Sequence, residues 1–96
     1  MTAYESVFIL QSDLDEETRD SLLDKIKGVI HKNGGEVTEL ESWGKKKLAY
    51  IINKIHKDGE YYLMYFNGNQ DVLNELDRFY KISDEVIRSL VVKQGQ

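Results

Sequence analysis

Apolar positions along the chain change period four times, and each change marks an element. Tyr4 to Leu10 is a compact aromatic and β-branched run that ends at Gln11-Ser12-Asp13, the pattern of a buried strand. A helix start follows at Leu14-Asp15-Glu16-Glu17, where Asp15 can cap free amide groups and the glutamates sit at the positive end of the helix dipole. Leu22, Ile26, Val29 and Ile30 then fall on one helical face, and Gly34-Gly35 supplies an exit that tolerates positive φ. Strand character returns from Glu36 to Ile52, interrupted at Trp43-Gly44, where a glycine inside a strand predicts a bulge. Lys57-Asp58-Gly59 reads as a turn, within a loop around Asn53 to Gly59, and Tyr61 to Phe66 as a third strand forming an antiparallel hairpin with the second. Asn67-Gly68-Asn69 breaks that strand, with Asn69 a cap. Val72, Leu73, Leu76, Phe79 and Tyr80 give a second helical face, and Val86 to Val92 a fourth strand before a polar tail at Lys93–Gln96.

The order βαββαβ predicts an α+β, ferredoxin-like fold: a four-stranded antiparallel sheet with both helices on one face. One sheet face is then left uncovered, and in the third strand both alternating sets are large and apolar. Phe66 and Met64 are assigned to the core. Tyr61, Leu63 and Tyr65 are assigned to the open face, with Val7, Ile9, Leu90 and Val92 beside them as a protein-partner patch. On that reading Leu63 is exposed, and Leu63→Asp is expected to abolish pairing while sparing the free fold.

With 96 residues the chain is read as a single domain, 1–96, able to bury roughly 60 to 65 per cent of its unfolded surface without a metal or disulfide. The absence of cysteine excludes disulfide frameworks, thiol nucleophiles and cysteine-bearing zinc sites. No apolar run reaches the ~20 residues of a membrane span, and Met1-Thr2-Ala3-Tyr4-Glu5 has no signal-peptide pattern, so a cytoplasmic protein is expected.

Charge is unevenly placed. From Gly44 to Lys57 stand Lys45, Lys46, Lys47, Lys54 and Lys57 with no Asp or Glu, whereas from Asp13 to Asp24 six acids face the single Arg19. The formal net charge of -4 therefore says little about partners, because a phosphate responds to charge within a Debye length of about 8 to 10 Å. A basic edge strand can simply guard against sheet aggregation. Joined to an aromatic-rich hairpin, it is also the equipment for phosphate contact with base stacking.

Catalytic chemistry is missing from the pattern. His31 falls at a helix end and His56 in a loop, with no designed partner for either; the Asp13–Asp24 acids lack the spacing and central glycine of a calcium loop. Gly34-Gly35 lacks the lysine of a phosphate loop, and no nucleophile has a base beside it. The expectation is a protein that is not an enzyme, with no cofactor, no metal and no small-molecule substrate.

The residues resemble a known family over almost the whole chain. Tyr4-Glu5, Gly34-Gly35, Trp43-Gly44-Lys45-Lys46-Lys47-Leu48-Ala49-Tyr50 with Ile52, Gly59 followed by Tyr61-Tyr62, Phe66, Ile82-Ser83-Asp84, Val86-Ile87-Arg88 and Val91-Val92-Lys93 are similar to the pattern of the bacterial small-subunit ribosomal protein six family. Three positions depart from it: Thr2-Ala3 stands where an arginine is usual, Lys46 replaces an arginine and so lacks its planar donor fork, and Ile51 often finds proline in relatives. The resemblance implies the ferredoxin-like fold and a structural component of the small subunit. It also implies pairing with ribosomal protein eighteen and binding to the central domain of the small-subunit ribosomal RNA. Carried over by position, Lys45, Lys46, Lys47, Tyr50, Arg88 and Lys93 are expected near RNA. Electrostatics alone adds Lys54, His56 and Lys57. The alternative is a free-standing single-stranded RNA-recognition module that stacks bases on sheet aromatics, for which Lys57 to Tyr65 is a loose match.

Overall fold

The computed structural model describes residues 2–47 and 58–94. Its elements run β1 (Thr2–Gln11), α1 (Glu16–Lys32), β2 (Glu36–Lys47), β3 (Asp58–Gly68), α2 (Gln70–Ile82) and β4 (Val86–Lys93). The strands form one antiparallel sheet in the order β2-β3-β1-β4, with β2 and β4 at the edges. This is the expected ferredoxin-like arrangement.

Local chemistry sets the helix ends. Asp15 Oδ1 accepts from the Thr18 backbone N–H at 2.7 Å, and Asn69 Oδ1 from that of Val72 at 3.0 Å, so each helix begins on a side-chain cap. At the exit of α1, Gly34 takes φ +91° and donates to His31 O, while Gly35 donates to Ile30 O at 2.8 Å.

The core lies between the helices and one sheet face. Leu22, Ile26 and Ile30 of α1 and Val72, Leu76 and Tyr80 of α2 cover Phe8, Leu10, Tyr62, Met64 and Phe66. Three aromatic contacts knit the strands to one another and to α2. Tyr4 stacks on Phe66 at 5.6 Å and Phe8 on Tyr62 at 5.4 Å between ring centroids, and Phe8 meets Tyr80 at 5.6 Å. Phe66 and Met64 thus face the core, as expected.

Three expectations are corrected. Asp58 and Gly59 are not a turn but the first residues of β3, opposite Lys47 and Lys46; ladder pairing with β2 outweighs the turn preference of an Asp-Gly step. At its other end β3 runs through Asn67 to Gly68, which pairs with Thr2, so the break falls at Asn69 alone. Leu63 is on the open face but is only 7% exposed, as is Ile9, because both sit on central strands flanked by neighbours on either side.

Candidate nucleic-acid and partner interface

Residues directly opposite in an antiparallel sheet share a face, so the register lays out the open face row by row. The first row reads Glu39, Tyr65, Glu5, Val92 from β2 across to β4. Glu41, Leu63, Val7 and Leu90 form the second, and Gly44, Tyr61, Ile9 and Arg88 the third. In the fourth, Lys46 and Gln11 both pair with Gly59. All seven residues expected on the partner patch, Val7, Ile9, Tyr61, Leu63, Tyr65, Leu90 and Val92, share this face. Leu90 and Val92 form its exposed apolar margin, at 61% and 39% exposure.

The face is electrically graded. Glu5, Glu39 and Glu41 gather around Tyr65 at one end; partial burial, and after it these three carboxylates, raise the Tyr65 phenol above its ordinary pKa. At the other end lie Arg88 and the register position of Lys46. Rows on one face are about 6.7 Å apart, so some 20 Å separates the Glu39 row from the Lys46 row. The Glu41 row is about 13 Å away; both separations exceed the Debye length of about 8 Å at physiological salt, and the corner acids do not cancel Lys46.

The lysine end is shaped by a bulge. The register of β2 against β3 shifts between Ser42 and Gly44, where Gly44 takes φ +77°, a conformation glycine adopts without strain. Trp43 is the extra residue there and is 44% exposed, an aromatic side chain at the head of the lysine run. Beyond the bulge Lys45, Lys46 and Lys47 pair in register with Glu60, Gly59 and Asp58, which puts the Lys46 position on the open face and those of Lys45 and Lys47 on the helix-side face.

Glu60 ties this end to α1. Only 7% exposed, it accepts the Tyr62 hydroxyl, and Arg19 Nη1 lies 3.5 Å from its Oε1. Burial, with the Glu60 contact, raises the Tyr62 phenol.

Not every expected RNA contact converges. Arg88 is on the open face but on the far edge strand from the lysines. Lys93 pairs with Tyr4 and so belongs to the helix-side face, at the sheet end away from the lysine rows. Tyr50, Lys54, His56 and Lys57 lie outside the described residues. Sequence reasoning missed the acidic corner, whose signal is the alternation of Glu39 and Glu41 about Leu40.

Comparison with known proteins agrees with this architecture. Residues 3–93 match the family model described as ribosomal protein S6. The small ribosomal subunit protein bS6 of Thermoanaerobacter pseudethanolicus is 47% identical over 96 residues, covering both chains completely. That of Desulforamulus reducens is 42% identical, also over both full chains. The crystal structure of 30S ribosomal protein S6 from Thermotoga maritima superposes with a TM-score of 0.89 at 33% identity, over 97% of this chain and 87% of that one. With a family match spanning nearly every residue and the same fold in a solved relative, the chain belongs to the ribosomal protein S6 family.

Proposed function

We propose that the chain is a structural component of the small ribosomal subunit that binds the central domain of the small-subunit ribosomal RNA together with ribosomal protein eighteen. Family membership over residues 3–93 is the observation that carries this reading. It gives the protein its place in the cytoplasm, on the ribosome. The two ends of the open face supply its division of labour. Lys46 beyond the Gly44 bulge, flanked in the strand by Lys45 and Lys47 and with Trp43 at the head of the run, offers phosphate contact and a stacking ring. The apolar margin at Leu90 and Val92, continuous with Val7 and Leu63, offers a surface for a protein.

The acidic corner speaks against a free-standing single-stranded RNA module. Such a module needs its sheet aromatics available to bases, yet Tyr65 stands between Glu5 and Glu39, where a phosphate backbone is repelled. A stoichiometric count of proteins in purified ribosomes tests the proposal: one copy per small subunit is expected, and absence from the particle would overturn it.

A further inference from the structure

We infer that the open sheet face takes a basic protein segment in one direction only, with a cationic side chain at the Glu5–Glu39–Glu41 corner and an apolar one across Leu90 and Val92. The inference rests on the partner-face reading above and adds the chemistry and orientation of the partner. Charge complementarity supplies the first half. The corner brings three carboxylates, Glu5 of β1 and Glu39 and Glu41 of β2, to one aromatic ring on β3, within two register rows. An arginine laid on Tyr65 there would gain the ring face and the carboxylates together. RNA can use the ring face alone, and its phosphates meet like charge. The second half comes from the margin: Leu90 is 61% exposed on an edge strand in the row of Glu41, and Val92 stands in the row of Glu39. Moving along either row from β2 to β4, a bound segment passes from carboxylate to hydrocarbon. A segment laid in the reverse direction would put its apolar residue on the carboxylates and its cation on leucine, so one orientation wins.

Separation of the two ends makes the surface usable on a ribosome. Because the Lys46 row lies about 13 to 20 Å beyond the corner, a basic partner can occupy the acidic end without displacing RNA.

The test compares the full chain with a Glu39→Gln, Glu41→Gln double variant, using purified ribosomal protein eighteen as the probe in calorimetric titrations over a salt series. Loss of two rim charges is expected to weaken association about three- to thirty-fold and flatten its salt dependence, with the melting temperature held. Equal affinity and salt slope would overturn the inference while leaving the pairing intact. If the wild-type chain does not bind protein eighteen at all, the pairing reading fails instead. The inference is then decided by amide NMR of the full chain titrated with a short peptide alternating arginine and leucine. Shifts at Glu39, Glu41, Tyr65 and Leu90 that the double variant lacks support it; none there overturns it. Shifts at the same residues with single-stranded RNA, or self-association of the chain that the variant abolishes, would name a different occupant and also overturn it.

Discussion

The Oγ of Ser6 and the hydroxyl of Tyr80, 74 residues apart in sequence, lie 2.8 Å from one another inside the core. Ser6 is completely buried and Tyr80 4% exposed, so neither group has water to fall back on. Removing one partner strands the other: Ser6→Ala is expected to cost about 1 to 3 kcal/mol. Ser6→Ala with Tyr80→Phe should cost less than the sum of the two single changes, by at least ~0.5 kcal/mol in a double-mutant cycle from urea unfolding. Burial also pushes the Tyr80 phenol up, against the opposing Ser6 hydrogen bond. A raised folded pKa means stability that is fully present below the ordinary value of about 10 and is lost as pH rises beyond it. Tyr80→Phe should therefore lose stability less steeply than wild type above pH ~10.

Asp15 titrates in the opposite sense. Its hydrogen bonds from Thr18 lower its pKa, so the cap stabilises α1 above the ordinary carboxylate value of about 3.9 and fails as pH falls through the lowered folded value. Asp15→Asn keeps a capping oxygen but cannot titrate. Its melting temperature should differ from wild type by a pH-dependent amount only below pH ~4, and a difference that varies between pH 5 and 7 would contradict this assignment.

Charge on the lysine run is expected to act on RNA and not on the fold. Converting Lys45, Lys46 and Lys47 to alanine should leave the far-ultraviolet spectrum and melting temperature nearly unchanged. If each lysine makes one phosphate contact, the slope of log K against log salt should flatten by about 2 to 3 units. Trp43, the single tryptophan, stands beside the run and can report binding by fluorescence. An unchanged slope would reduce the run to protection of a sheet edge.

Two leucines on the same face should behave differently. Leu90 is 61% exposed on an edge strand, so Leu90→Asp is expected to change stability by no more than about 0.5 kcal/mol while costing protein-partner binding ~2 kcal/mol or more. Leu63, 7% exposed between Glu41 and Val7, cannot be replaced as gently: Leu63→Asp would bury an unpaired charge and cost the fold several kcal/mol. Thermal melting of both variants separates the outcomes.

What could be read before the structure followed from short-range periodicity and capping chemistry. Asp15, Asn69 and the Gly44 bulge announce themselves within a few residues, and alternation alone divided β3 into Tyr62, Met64 and Phe66 against Tyr61, Leu63 and Tyr65. What escaped depended on neighbours distant in sequence. Asp58-Gly59 has the composition of a turn and becomes strand because Lys46 and Lys47 pair with it. The acidic corner needs Glu5 of β1 brought beside Glu39 of β2 through Tyr65 of β3, and the contact of Arg19 with Glu60 spans α1 and β3. Leu63 and Ile9 alternate like surface residues yet are buried by the flanking strands.

The most direct test of the two-ended face is the affinity for a labelled central-domain RNA fragment, measured with and without ribosomal protein eighteen. Alone, the chain should bind that fragment little better than an unstructured RNA, because a handful of lysines supplies mainly non-specific attraction. With the partner present, binding to the central-domain fragment should tighten by at least tenfold while the unstructured RNA gains nothing, the partner completing the RNA surface. Micromolar or tighter binding of short single-stranded RNA by the isolated chain, with ~1 to 3 kcal/mol lost on Tyr61→Ala or Tyr65→Ala, would contradict this account and make the sheet a base-stacking platform.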